Sequence, residues 1–214
     1  MLEDLYIKPY LLSLMALRPS ALFGVVMAQP FYAGLLHDWA DRTVDTHTEI
    51  LELGCGPGLL SHTLAARPGC SVLGLDRAPS MIQAARRRPG AAQFAVGDAT
   101  ETGLSDGRFD CVVGASILNV VADPVALVRE ARRLSRGRVS FLVPSRRMTA
   151  VTAARFAERQ RLGAWSRAVL SMWSTHARKL DEGELEVIFH TAGFAAPRVD
   201  HYLDGLVVGV SADR

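Results

Sequence analysis

The chain has 214 residues, 49% of them hydrophobic and 21% charged, which suits one folded domain and excludes both a disordered segment and a TIM barrel of about 250 residues. Its 24 basic and 22 acidic residues leave a formal charge of +2, too little for a broad attractive field, so no nucleic-acid partner is expected. Cys55, Cys70 and Cys111 are scattered with no CxxC pair, which argues against a disulfide scaffold or a zinc site and fits a reducing cytoplasm.

Residues 1–48 read as two or three short apolar helices broken at Pro9, Pro19 and Pro30. The start, Met1-Leu2-Glu3-Asp4, is acidic where a signal peptide is basic, so a cytoplasmic location is expected. The apolar stretch 11–28 is interrupted by Arg18-Pro19, whereas a spanning helix needs about 20 uninterrupted apolar residues. No transmembrane span is expected; peripheral contact with a membrane surface, or a lid over an apolar pocket, stays open.

Between 49 and 144, short apolar runs at 49–53, 71–75, 93–96, 109–114 and 139–143 alternate with helical patterns. Near-continuous apolar runs of this length suit strands buried on both faces, as in a parallel sheet with helical crossovers. Asp123-Pro124 opens one crossover helix with a capping acceptor and a proline in the first turn. An arginine-rich helical stretch follows at 146–179. Asp181 and Glu184 then form a capping-box pattern before a helix over 184–192, which Gly193-Phe194 closes. Two last runs, 198–202 and 206–210, are split by Asp204-Gly205, a hairpin signal that predicts an antiparallel strand at the end of the sheet. The expected organisation is a single α/β domain over 1–214. It comprises an N-terminal helical lid (1–48), a cofactor-binding core (49–144), a helical insertion (145–180), and a last helix with a terminal strand pair (181–214).

The most informative segment is Glu52-Leu53-Gly54-Cys55-Gly56-Pro57-Gly58, a buried strand running into a glycine turn and then a helix. Glycines there let the chain turn sharply and let a ligand approach the backbone closely. A dinucleotide fingerprint, GxGxxG/A, requires a small residue at position 59, which is Leu59, and a carboxylate at the strand end favours a cationic or hydroxyl-bearing ligand. The second strand ends at Asp76, about where an acidic residue meets ribose hydroxyls in Rossmann-like sheets. The third ends in Gly97-Asp98-Ala99 and the fourth in Gly114-Ala115-Ser116. Ligands of open α/β sheets bind beyond these carboxyl ends.

These motifs, with Gly74-Leu75-Asp76, Phe109-Asp110-Cys111-Val112-Val113 and Asp123-Pro124 through Glu130-Ala131-Arg132-Arg133-Leu134, resemble the class I S-adenosylmethionine-dependent methyltransferases. The chain looks most like the ubiquinone/menaquinone-biosynthesis type of small-molecule methyltransferase. The resemblance covers roughly 49–144, and more loosely 184–210. It implies a Rossmann-like seven-stranded, mostly parallel sheet in the order 3-2-1-4-5-7-6 with strand 7 antiparallel. It also implies S-adenosyl-L-methionine as cofactor and S-adenosyl-L-homocysteine as product. By position, Glu52 and the backbone of Gly54, Cys55, Gly56 and Gly58 would hold the methionine moiety, and Asp76 the ribose hydroxyls. Asp98 and the Ala99 amide would meet the adenine, Arg77 and Met81 would flank it, and Ser116 would contact the methionine end. Where relatives often carry a histidine after the fourth strand, this chain has Asn119, which is no base at neutral pH.

The reaction implied is in-line displacement at the sulfonium methyl of the cofactor, with the protein mainly aligning donor and acceptor. A base is needed only for certain acceptors, and His37, His176 and His201 are the candidates. Tyr10 and Tyr32 on the N-terminal helices, Asn119, and Arg146 after the fifth strand are candidate acceptor contacts. The expected acceptor is a small hydrophobic or aromatic molecule, with a lipid- or quinone-like one as a variant. A cofactor-binding regulatory or partner subunit without turnover is the alternative. A nicotinamide-dependent oxidoreductase is disfavoured by Leu59 and by the lack of a Tyr-x-x-x-Lys pair.

Overall fold

A computed structural model describes residues 6–46 and 48–214, so the acidic start at 1–4 lies outside the described residues. Seven strands, β1 (Glu49–Leu53), β2 (Ser71–Asp76), β3 (Gln93–Val96), β4 (Phe109–Ala115), β5 (Ser135–Pro144), β6 (Arg198–Tyr202) and β7 (Val207–Asp213), form one sheet in the order β3-β2-β1-β4-β5-β7-β6. The first five are parallel, and β7 runs antiparallel to both β5 and β6, as the terminal hairpin signal predicts.

The apolar runs form parallel strands because both faces of the sheet are covered. Ile50, Val113 and Leu142 pack into one core with Leu36 and Trp39, while their neighbours Leu51, Val112, Phe141 and Val143 pack into the other with Phe189. The first core lies under α1 (Lys8–Leu17), α3 (Pro30–Thr43), α4 (Leu59–Ala65), α7 (Ala150–Arg159) and α8 (Ala164–His176). The second lies under α6 (Pro124–Leu134) and α9 (Glu182–Thr191). Two further helices, α2 (Pro19–Met27) and α5 (Pro79–Arg86), complete the elements described here. Pro9, Pro19 and Pro30 each stand in a first helical turn, so the prolines that divide the N-terminal segment also start its helices.

Helix α3 runs back along the sheet, with Tyr32 beside Ser116 at the carboxyl tips and the Thr43 carbonyl accepting from Arg138 near the start of β5. Trp39 lies fully buried between them, and its indole N–H donates to the Ser140 hydroxyl at 3.2 Å. On the other face, Glu130 of α6 accepts two bonds from Arg133, at 2.7 and 2.8 Å. It also accepts bonds from the Thr102 amide and hydroxyl at 2.9 and 2.6 Å. Burial alone would raise the Glu130 pKa, but these donors outweigh it and hold the carboxyl down at about 2.

Beyond shifts of one to three residues at strand ends, four departures from the sequence expectation have a physical reason. Strand β5 starts at Ser135 rather than 139. The Ser135 hydroxyl accepts from the Gly137 amide and donates to the Arg138 carbonyl, so a polar Ser-Arg-Gly-Arg stretch enters the sheet across a bulge in the pairing with β4. The stretch 146–179 holds two helices, because Arg161 adopts a left-handed φ of 50° and Gly163 caps α8. Helix α9 starts at Glu182, with Asp181 and Glu184 bonded reciprocally in the predicted capping box. The Asp204-Gly205 turn is a short 3₁₀ turn (Leu203–Gly205) with Leu203 and Asp204 both left-handed, rather than a two-residue hairpin loop.

Trp39→Ala is expected to lower stability by about 3–5 kcal/mol in urea unfolding, through the cavity it leaves and the stranded Ser140 hydroxyl. A loss below about 1 kcal/mol would show that α3 does not anchor the sheet. The depressed Glu130 pKa contributes stability that is complete above about 4.5 and is lost as pH falls toward 2. Glu130→Gln should therefore cost about 2 kcal/mol near neutral pH, and the gap to the parent protein should close in acid. Parallel pH curves for the two proteins would contradict this.

Candidate active site at the strand tips

The site is built where β1, β2, β3 and β4 end side by side. After Leu53 the chain turns through Gly54, Gly56 and Gly58, all at positive φ, and Gly58 caps α4. Gly54 stands at φ 69°, and a Cβ there would meet the Ile117 side chain at 2.6 Å, so a larger residue would push the loop after β4 away from the turn. The Gly54 and Cys55 amides both donate to the Leu75 carbonyl, at 2.7 and 3.0 Å. One carboxylate then locks the arrangement: Asp76 accepts the Gly56 amide on Oδ2 at 2.9 Å and the Ala78 amide on Oδ1 at 2.8 Å.

Glu52 lies just beneath the turn and is only 2% exposed. Burial pushes its carboxyl up to about 8, the Ser61 hydroxyl donating to Oε2 opposes the rise, and the charge of Asp76 adds to it. Tyr32 reaches over from α3. Burial and the Glu52 charge push its phenol up to about 12, against hydrogen bonding with Ser116. Ser116 itself holds a left-handed φ of 58°, with its amide bonded to the Leu142 carbonyl at 2.7 Å. Burial, with Glu52 and Asp76 nearby, drives the Cys55 thiol well above its ordinary range, so it is no nucleophile.

Asp98 is exposed at the end of β3, and both of its bonds, from the Thr100 hydroxyl and amide, fall on Oδ1. These bonds, helped by the nearby Arg77 charge, hold its carboxyl below the ordinary range. Ala99 follows it, partly buried, while Arg77 is exposed and Met81 is buried on α5. Glu52, Asp76 and Asp98 thus end three adjacent strands, with the turn, Ser116 and Tyr32 beside them. A hollow of about 620 Å³ lies apart from the turn: it flanks α5 and is lined by Gln83, Arg86 and Val96.

The candidate acceptor contacts divide. Tyr32 packs against Trp173 of α8 with ring centres 5.7 Å apart, and the half-exposed Tyr10 packs against Trp165 at 6.0 Å, so the N-terminal helices and the insertion meet each other at this end. Asn119 is buried. Its amide donates to the Arg178 carbonyl at 3.2 Å, and its Oδ1 has no partner among the described residues. Arg146, exposed, pairs with Glu184 and Asp181 at the start of α9.

The three histidines are all exposed. His37 is exposed on α3, away from its buried stripe. His176 is exposed at the end of α8, where Nδ1 lies 3.0 Å from the Met172 carbonyl. His201 pairs with Glu182 at 2.9 Å on the edge strand β6, four strands or about 19 Å from β1. Two contributors escaped the sequence reading. Ser61 is a hydroxyl facing back from α4 onto Glu52, and nothing in the polar run Ser61-His62-Thr63 singles it out. Ile117, which covers Gly54, gave no signal at all.

Residues 44–193 match the model of the family described as methyltransferase domain. Over 91 residues the chain is 41% identical to an uncharacterized transposon protein of Streptomyces fradiae, covering 40% of this chain and 26% of that protein. It is 35% identical over 89 residues to a ubiquinone biosynthesis O-methyltransferase of Cereibacter sphaeroides, covering 40% of this chain and 36% of that enzyme. The chain therefore aligns with about a third or less of the length of these relatives. Among solved structures, an S-adenosylmethionine-dependent methyltransferase of Aquifex aeolicus superposes with a TM-score of 0.64 at 15% identity, covering 86% of this chain and 93% of that one. Magnesium protoporphyrin IX methyltransferase from Synechocystis, with S-adenosylhomocysteine bound, superposes with a TM-score of 0.57 at 19% identity over 85% of this chain and 80% of that one. Sheet order, strand-tip motifs and the family match agree: the chain belongs to the methyltransferase-domain family and has the fold of the class I S-adenosylmethionine-dependent methyltransferases.

Proposed function

We propose that the protein transfers a methyl group from S-adenosylmethionine to a small hydrophobic or aromatic acceptor, a lipid- or quinone-like molecule included. The observation that carries this reading is the row of carboxylates Glu52, Asp76 and Asp98 on adjacent strand tips beneath the aromatic pair Tyr32 and Trp173. The donor set fits the cofactor's chemistry. An ammonium suits Glu52, a ribose diol suits the remaining acceptor capacity of Asp76, and an exocyclic amine suits Oδ2 of Asp98, the oxygen that Thr100 does not use. A Cβ on Gly56 would meet nothing within 4 Å, which leaves room for a ligand against the turn. Ala99, Arg77 and Met81 would border the adenine, and Ser116 the methionine end. When bound, S-adenosylmethionine supplies an electrophilic methyl on a sulfonium that is already a good leaving group.

The work of the chain is then alignment and exclusion of water. Tyr32 is held neutral at physiological pH and serves as a hydrogen-bonding wall rather than a base. Asn119 Oδ1, buried and unpartnered among the described residues, is suited to receive a hydroxyl or amine of the acceptor. Relatives named for ubiquinone biosynthesis and a structural neighbour named for magnesium protoporphyrin IX support an apolar acceptor. We infer that the whole span 1–214 works as one catalytic unit, with its acceptor choice made by the helices at 1–48 and 145–180.

Incubation with methyl-labelled S-adenosylmethionine and a panel of phenols, quinols and apolar amines should move label into at least one acceptor. Tight S-adenosylhomocysteine binding with no transfer across the panel would instead support a non-catalytic binding subunit. Asp76→Ala should weaken S-adenosylhomocysteine binding by about tenfold or more, since it removes the ribose acceptor and loosens the turn; unchanged affinity would refute the assignment. Glu52, with its raised pKa near 8, must give up its proton to face an ammonium. Affinity should therefore rise from pH 6 to pH 8 in the parent protein and stay flat in Glu52→Gln. The sign for folding is the reverse: the unliganded protein loses stability as pH rises from 4.5 to 8, and Glu52→Gln should remove that loss in thermal melts.

A further inference from the structure

We propose that a hollow between α3 and α7 is a second small-molecule site, one that takes an aromatic amine in its ammonium form. About 410 Å³ opens there, bounded by α3, α7 and the turn at Leu203–Gly205. Phe31, Gly34, Leu35 and Asp38 line it from α3 at the spacing of one helical face. Phe31 and Tyr32 are chain neighbours with ring centres 6.5 Å apart, and they point to different places. Tyr32 meets Ser116 and Trp173, whereas Phe31 lines the hollow. The strand-tip site and the hollow thus lie on different flanks of one helix.

Independent features of the walls point to an occupant. Gly34 stands inside α3, where glycine is a poor helix former, and its φ is not left-handed. A Cβ there would meet nothing within 4 Å, so packing does not require the glycine, and its missing side chain keeps the hollow open. Tyr202, which also lines the hollow, is only 4% exposed, yet its hydroxyl has no hydrogen-bond partner among the described residues. Burial and the charges of Asp200 and Asp38 push that phenol up to about 12, so it stays protonated. The third wall is strained: Leu203 and Asp204 hold left-handed φ values of 49° and 57°. Ser145 Oγ on the Gly205 carbonyl, and Arg159 on Asp204, keep the turn in that path.

The chemistry of the lining selects the ligand. Among the described residues no Lys, Arg or His lines the hollow; its charged groups are the carboxylates of Asp38 and Asp204. Arg42 and Arg159 pair with these carboxylates without lining the hollow, and Arg159 uses only Oδ2 of Asp204. An ammonium therefore finds acceptors at Asp38, at Asp204 Oδ1 and at the Tyr202 hydroxyl. Phe31, Leu35, Phe156 and Leu162 supply apolar walls for a ring, and aromatic faces favour a cation beside them. An anionic ligand would meet two like charges.

The test is isothermal titration of the full chain with tryptamine and, separately, with indole-3-propionate, which carries the same ring on an anion. Tryptamine should bind at one site with a Kd below about 1 mM, at least about tenfold tighter than indole-3-propionate. Saturating S-adenosylhomocysteine should not displace it; displacement would place the amine at the strand tips and overturn the proposal. Gly34→Leu, which fills the hollow, should weaken tryptamine binding by about tenfold or more. Far-UV circular dichroism and S-adenosylhomocysteine affinity should be unchanged in that variant, so the two readings can fail separately. Asp204→Asn keeps a residue that tolerates the left-handed turn, and it should lower the preference for tryptamine over indole-3-propionate several-fold. No tryptamine binding, equal binding of the two probes, binding that survives Gly34→Leu, or a preference untouched by Asp204→Asn would overturn the proposal.

Discussion

The two oxygens of the Asp76 carboxylate hold the active end of the sheet together. Oδ2 takes the amide of Gly56 from the turn after β1, and Oδ1 takes the amide of Ala78 where α5 begins, so one side chain sets the spacing of two neighbouring loops. The glycine turn is thereby held in a left-handed path that lies open at Gly56 and closed at Gly54 by Ile117. Beneath it Glu52 is desolvated, with Ser61 as its hydrogen-bond donor. A buried carboxylate with so few partners is unfavourable to folding at neutral pH, and it is the kind of strain that a cationic ligand relieves.

The remainder of the molecule divides its labour around that point. The parallel strands and their alternating side chains make a rigid platform, fixed on one face by Trp39 and on the other by the Glu130–Arg133–Thr102 network. The helices before β1 and after β5 then close over the tips through paired aromatics, Tyr32 with Trp173 and Tyr10 with Trp165. The platform presents the row of carboxylates, whereas the helices around it are largely apolar and partly exposed. Around the tips the phenol of Tyr32 is raised to about 12 and the thiol of Cys55 further still, so neither is a base near neutral pH, whereas the Glu52 carboxyl is raised to about 8.

Much of the platform was legible in the sequence because buried parallel strands must be short, apolar and regularly interrupted. The positions of β1 and β3, the Asp123 cap and the Asp181–Glu184 box follow directly from residue type and spacing. The start of β5 was hidden because Ser135 to Arg138 is polar, and its entry depends on a side-chain hydroxyl satisfying the backbone. The histidines illustrate a different limit: residue type nominates a base, but only packing tells which side of a helix it faces, and all three are exposed. The pairing of Arg146 was hidden for a similar reason, since its partners Asp181 and Glu184 lie far along the chain. Motif order carried the carboxylates, while long-range partners such as Ser61 and Ile117 left no trace in spacing.

The account rests on the strand tips being a site for an amino acid–nucleoside conjugate rather than for a dinucleotide. Isothermal titration of the unaltered protein with S-adenosylhomocysteine and, separately, with NADH tests this most directly. Micromolar binding of S-adenosylhomocysteine with a single site, and no heat from NADH, is the predicted result. NADH binding of comparable strength, or no binding of S-adenosylhomocysteine, would contradict it.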